Sequence, residues 1–173
     1  MTGAHQPGSE SHQLWVIDTS SLLAVRETYS AAHERKVFSA MTKYATRQKL
    51  LYPPEVCAEL ERGAESESNP DPPLVWARNH RHCSERPADL ATVRRVLDRV
   101  PELLDPDNPN EQADPYVLAV SLDLHIGGFD VCVVTDDRRD RPPTKISLAT
   151  AVGMFRLATV PLHAFLRGER LYP

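Results

Sequence analysis

The chain is poor in the residues that mark several common protein classes. Its three cysteines, Cys57, Cys83 and Cys132, are odd in number and show no paired spacing. Neither a disulfide framework nor a four-cysteine zinc site is expected, and the thiols are read as reduced. No apolar run approaches the roughly 20 residues of a membrane span, and the first residues lack a basic stretch followed by an apolar one. A cytoplasmic protein with no membrane partner is therefore expected. Glycine is sparse, at 7 of 173 residues. It supplies neither a phosphate-cradling loop nor the Gly-x-Ser-x-Gly turn that nucleophilic catalysis by Ser20 or Ser21 would need. Basic excess is missing too: the formal net charge is −4, which argues against a strongly basic nucleic-acid coat. Acids gathered at one site would still let a negative total coexist with a basic rim.

What is there is an ordinary globular composition, 41% hydrophobic and 25% charged. At 173 residues it suits one domain with a good core. The organising stretch is Leu14-Trp15-Val16-Ile17-Asp18-Thr19-Ser20-Ser21. A short apolar run with two β-branched members suits a strand buried on both faces, and it ends on a carboxylate at the edge where parallel α/β sheets bind ligands. Taken alone, Asp18 is better explained as the cap of the next helix. Val131-Cys132-Val133-Val134 ends in the same way, on Thr135-Asp136-Asp137. Two buried strands then deliver carboxylates to one edge of one sheet.

The remaining elements follow in order. Residues 1–13, rich in Gly, Ser, His and Gln without periodicity, read as a disordered N-terminal tail, leaving 14–173 as a single domain. Ser20 to Arg26 continue as a helical turn, and Val37, Phe38, Met41, Tyr44 and Ala45 have helical spacing. Leu50-Leu51-Tyr52 is a second short strand. Pro53-Pro54 opens a helix in which Val56 and Leu60 share a face, with Glu59 at its margin. Glu55 and Glu61 on the same helix are explained as solvated acids, Glu55 at the positive end of the helix dipole.

Residues 66–104 read as a loop and helical insertion. Ser66 to Pro73 is turn-rich, Leu74 to Cys83 is one helix, and Ala88 to Val100 is another with a stripe of Leu90, Val93, Leu97 and Val100. Arg94, Arg95 and Arg99 lie off that stripe, on a solvated face or against a polyphosphate backbone. His80, His82 and Cys83 have the residue types of zinc ligands but no second ligand pair at a suitable spacing. After the turn-rich loop Asp105 to Asn110, Asp114-Pro115 is a strong helix start, with Asp as cap and Pro at the first helical position. Gly127-Gly128 ends that helix. Lys145 to Met154 is expected as a helix, Phe155 to Thr159 as a last short strand, and Pro161 to Arg167 as a terminal helix. The fold class expected is a three-layer α/β/α arrangement with a central parallel sheet.

Each acid has an ordinary explanation, but their joint placement is harder to dismiss. Asp18 and Asp136 or Asp137 end strands, while Glu59 and Asp114 sit on or at the start of helices. Carboxylates converging at one sheet edge repel one another unless a divalent cation neutralises them. Oxygen-only ligands favour Mg²⁺ or Mn²⁺, which can activate water for displacement at phosphorus.

Four segments, Val16-Ile17-Asp18-Thr19-Ser20, Pro54-Glu55-Val56-Cys57-Ala58-Glu59-Leu60, Ala113-Asp114-Pro115-Tyr116-Val117-Leu118-Ala119 and Val133-Val134-Thr135-Asp136-Asp137, resemble in kind and order the motifs of the PIN-domain family of metal-dependent ribonucleases. That family includes the VapC-type toxins of bacterial toxin–antitoxin systems. The Ala-Asp-Pro third motif is similar to that of a longer bacterial PIN-like subgroup.

The resemblance implies an endoribonuclease that hydrolyses RNA with metal-activated water, leaving a 5′-phosphate. It implies Mg²⁺ or Mn²⁺ held by Asp18, Glu59, Asp114 and Asp137, with Asp136 the neighbour able to substitute, and supporting roles for Thr19, Ser20 and Thr135. Arg138, Arg139, Arg141 and Lys145 become candidates for RNA-backbone contact, a solvated loop being the competing reading. An antitoxin protein and a second copy of the chain are the implied partners. The tail and the enlarged helical middle depart from a compact toxin. The non-enzyme alternative is a PIN fold that binds RNA or protein without cutting. A haloacid-dehalogenase-type phosphatase is discounted because Ser20 stands where it needs a second Asp, and a receiver domain because Ile17-Asp18-Thr19 offers one acid only.

Overall fold

The computed structural model describes residues 13–64 and 71–171. In chain order the elements are β1 (Gln13–Ile17), α1 (Thr19–Thr28), α2 (Ala31–Thr46), β2 (Leu50–Leu51), α3 (Pro54–Gly63), α4 (Pro72–Ser84) and α5 (Leu90–Arg99). A short 3-10 turn (Pro101–Leu103) precedes α6 (Asp114–Ile126), β3 (Asp130–Val134), α7 (Leu148–Met154), β4 (Ala158–Val160) and α8 (Leu162–Gly168). The strand order is β2-β1-β3-β4, with every neighbouring pair parallel. This is the expected three-layer α/β/α architecture.

Parallel strands at the centre of such a sheet are covered on both faces. Val16 and Ile17 of β1 and Val133 and Val134 of β3 are accordingly fully buried, and neither run alternates apolar with polar. The register pairs Ile17 with Val134. Asp18 and Thr135, the next residues, therefore emerge level at the carboxyl edge, where Asp18 N still donates to Val134 O at 3.2 Å. Strand position alone thus brings together two segments far apart in sequence.

The helices of the 66–104 segment belong to the same core. Leu74, Trp76 and Ala77 of α4 and Val93 and Val96 of α5 are buried in one apolar cluster with the strand residues. The Tyr52 hydroxyl, fully buried, donates to Ala77 O at 2.5 Å and ties α4 to the end of β2. Cys57, Cys83 and Cys132 are buried, unpaired thiols. Among the described residues, no helix is long and apolar enough to cross a membrane.

Several boundaries differ from expectation. The tail expected over residues 1–13 lies outside the described residues, except that Gln13 already pairs with Asp130 in the sheet. Most of the Ser66 to Pro73 loop is also outside them, but Pro72 and Pro73 open α4, a first turn that tolerates proline. On α5 the expected stripe holds at Val93 and Val100, which are buried, and at Leu97, which packs against the core, but Leu90 is 72% exposed and Thr92 and Val96 are buried as well. Asp89 caps that helix through Ala91 N, and Thr92 faces α6, donating to Asp123 Oδ1 at 2.6 Å. A polar contact thus adds Thr92 to the face that apolar spacing suggested. The expected helix from Lys145 begins only at Leu148, with Ser147 as its cap, which leaves Lys145 in the preceding loop. The last strand lies slightly later than expected, at Ala158–Val160.

Candidate active site

Asp18 is a helix cap whose second carboxylate oxygen has partners of its own. Its Oδ1 accepts from Ser21 N at 2.9 Å, so it caps α1. Its Oδ2 accepts from the hydroxyls of Ser20 at 2.7 Å and Thr135 at 2.6 Å. With 1% of its surface exposed, burial pushes its carboxyl up to about 7. The Asp114 charge adds to that shift, and the hydroxyl donors Thr135 and Ser20 oppose it.

Asp114 departs from its expected role as a cap. The cap position is taken by Ala113, already helical, and Asp114 is the first residue of α6. Its side chain is thereby released into the cleft, where Oδ2 lies 3.2 Å from Lys145 Nζ. Burial raises this carboxyl to about 6; Asp137 and Glu59 reinforce the shift and Lys145 opposes it.

Glu59 is the brace between three helices. From α3, its Oε1 accepts Ala113 N at 2.8 Å and its Oε2 accepts the Thr19 hydroxyl at 2.5 Å. Thr19 is thus spent on Glu59, whereas Ser20 and Thr135 order the two strand ends. Ser20 Oγ accepts from Asp136 N at 3.0 Å and Asp137 N at 2.9 Å, and Thr135 Oγ1 accepts from Asp137 N at 3.0 Å.

The two adjacent acids diverge. Asp136 Oδ2 accepts from the Ser21 hydroxyl at 2.7 Å and from Leu162 N at 3.0 Å, fastening α1 and α8 to the end of β3. Asp137 Oδ2 accepts Leu148 N at 2.9 Å and lies 3.7 Å from Lys145 Nζ, so it stands with Asp114 around one ammonium.

Asp18, Thr19, Ser20, Glu59, Asp114, Asp136, Asp137 and Lys145 line one cleft of about 430 Å³. Thr135 lies behind it, fully buried. The basic residues separate: Lys145 turns into the cleft instead of outward, and Arg141 pairs with Asp105 at 2.7 Å. Arg138 and Arg139 remain exposed on the adjoining loop. Sequence reasoning passed over Asp105, Asn108 and Gln112, which also line the cleft. Gln112, only 7% exposed, holds their loop by accepting Asp105 N at 2.8 Å and donating to Asp105 O at 2.9 Å. The available signal was a polar loop directly before the Asp114 motif.

Counting Asp105, six carboxylates and one ammonium among the described residues line the cleft. Oxygen donors with that charge excess suit a hard divalent cation. Yet among the described residues no three Asp, Glu, His or Cys side chains are drawn together tightly enough to grip a metal ion. The contacts show why: Lys145 stands with Asp114 and Asp137, Glu59 is engaged through both oxygens, and Asp136 is turned toward Leu162 N. Comparison with models of known protein families and with curated proteins found no match to this chain.

Proposed function

We propose that the protein is an endoribonuclease dependent on Mg²⁺ or Mn²⁺ and the toxin half of a toxin–antitoxin pair. The observation that carries the reading is the delivery of Asp18, Glu59, Asp114 and Asp137, from four separate segments, to one cleft at the carboxyl edge of a parallel sheet. The resemblance of those segments to PIN-domain motifs supplies the choice of RNA. Burial raises the carboxyls of Asp18 and Asp114, with neighbouring acids adding to the shift, and functional sites are where such shifts concentrate.

Asp18, Asp114 and Asp137 would hold the cation, with Glu59 at their side and Asp136 as the substitute. When bound, the cation supplies activation of water and offsets the charge developing on the phosphate. The chain's own groups do the rest. Ser20 and Thr135 hold Asp18 in one orientation, Glu59 fixes the start of α6 and so the position of Asp114, and exposed Arg138 and Arg139 meet the RNA backbone. An antitoxin would act by covering the acidic cleft, and the chain would pair with a second copy.

The test is cleavage of a labelled structured RNA by the purified protein with Mg²⁺, Mn²⁺ or chelator, beside Asp114→Asn. Metal-dependent cutting that disappears in the variant is the expected result. A protein that binds RNA or a partner but cuts with neither metal is a binding module instead.

A further inference from the structure

Among the described residues, Lys145 is the one cation lining the cleft, and the local fold turns it inward. Arg141 N donates to Lys145 O at 2.8 Å and Lys145 N to Arg141 O at 3.1 Å, closing the loop before α7. Ile146 N is fixed to Glu102 O at 2.9 Å. The side chain is only 15% exposed, and its ammonium lies 3.2 Å from Asp114 Oδ2 and 3.7 Å from Asp137 Oδ2. Its two partners come from different elements, the start of α6 and the end of β3. They are two of the carboxylates that the proposed function gives to the metal.

An exposed ion pair contributes little, but this one bridges two acids in a largely enclosed place. A divalent ion at those carboxylates would meet a unit positive charge already among them. The desolvated acids, for their part, need a counter-charge whenever the metal is absent. Resting on the metal-dependent reading, we propose that Lys145 is an internal counter-cation. It neutralises Asp114 and Asp137 in the metal-free protein and competes with the divalent ion for them. Metal uptake then proceeds at the expense of the lysine's ion pairs, and Lys145 sets how tightly the cleft holds its cation.

Two effects of opposite sign follow from removing the charge. Lys145→Met lowers the melting temperature of the metal-free protein, because two carboxylates lose their partner. The same variant tightens Mn²⁺ binding by about tenfold or more, because a repulsive charge has gone. Lys145→Arg keeps the charge and keeps affinity near that of the wild type. Mn²⁺ binding to the full chain is read from the paramagnetic resonance signal of the free ion, and folding from circular dichroism. Equal Mn²⁺ affinity in wild type and Lys145→Met, or weaker binding in a folded Lys145→Met, overturns this inference alone. Tightening by Lys145→Arg equal to that of Lys145→Met overturns it as well. If neither the wild type nor Lys145→Met takes up Mn²⁺, the metal-dependent reading falls and this inference with it.

Discussion

Replacing Thr135 by valine isolates the hydroxyl that joins the two central strand ends. The side chain is fully buried, and valine has nearly its shape, so no cavity opens and the change is confined to hydrogen bonding. Three contacts are lost: the 2.6 Å donation to Asp18 Oδ2, the 3.0 Å acceptance from Asp137 N and a long 3.5 Å contact with Ser20 Oγ. The second is softened because Asp137 N also has Ser20 Oγ at 2.9 Å. A hydrogen bond to a charged group contributes about 1.5–3 kcal/mol, so the expected cost of the variant is about 2–3 kcal/mol. For a chain of this size that lowers the melting temperature by roughly 4–12 °C. Thermal unfolding in chelator at pH 7.5, followed by circular dichroism, reads the shift. Thr135→Ser, which keeps the hydroxyl, should lose about 1 kcal/mol for its missing methyl. If valine shifts the midpoint by less than the serine variant does, Thr135 is not what orients Asp18.

Other expectations follow from the same contacts. Asp18 and Asp114 have carboxyls raised to about 7 and about 6, from the ordinary aspartate value of 3.8. Between these limits the folded chain binds more protons than the unfolded one, so the stability they contribute is complete below about pH 4 and is lost as pH rises through 6 to 7. Urea titrations in chelator should therefore show the protein more stable at pH 5 than at pH 8, and Asp18→Asn should flatten the difference. Glu59→Ala removes the acceptors of Ala113 N and the Thr19 hydroxyl and should cost about 2–4 kcal/mol. Glu59→Gln retains a carbonyl for Ala113 N and should stay within about 1 kcal/mol of wild type, so that comparison of the pair in urea separates bracing from charge. Asp136→Asn should lower the melting temperature while leaving Mn²⁺ affinity near wild type. Asp137→Asn should weaken Mn²⁺ binding roughly tenfold or more, since ligand charge tunes such affinities; calorimetric titration distinguishes the two.

Much of this arrangement is set by the order of residues alone. Val16-Ile17 and Val133-Val134 are unbroken β-branched runs that suit burial on both faces, and a strand so buried delivers its next residue to the edge of the sheet. Asp18, Thr135, Asp136 and Asp137 were legible for that reason. So was Glu59, at the margin of a stripe that burial had to fix. Gly127-Gly128 and the proline pairs marked helix limits through backbone restrictions that act locally.

Tertiary packing decided what local chemistry left open. Asp114 is a good cap by residue type, yet Ala113 takes the cap position while Glu59, from a distant helix, accepts its N–H. Leu90 fits an apolar stripe yet is exposed, while Thr92 is buried and its hydroxyl donates to Asp123. Asp136 and Asp137 are the same residue side by side, distinguished only by what each meets: Leu162 N for one, Leu148 N and Lys145 for the other. Lys145 was expected to open a helix and to be a candidate for RNA contact, but it lies in a loop whose own backbone pairing turns it toward the acids. Periodicity and backbone propensity act over a few residues, and so they reach into the sequence. The partner of a buried charge comes from wherever the fold brings the chain back, and no local pattern carries it.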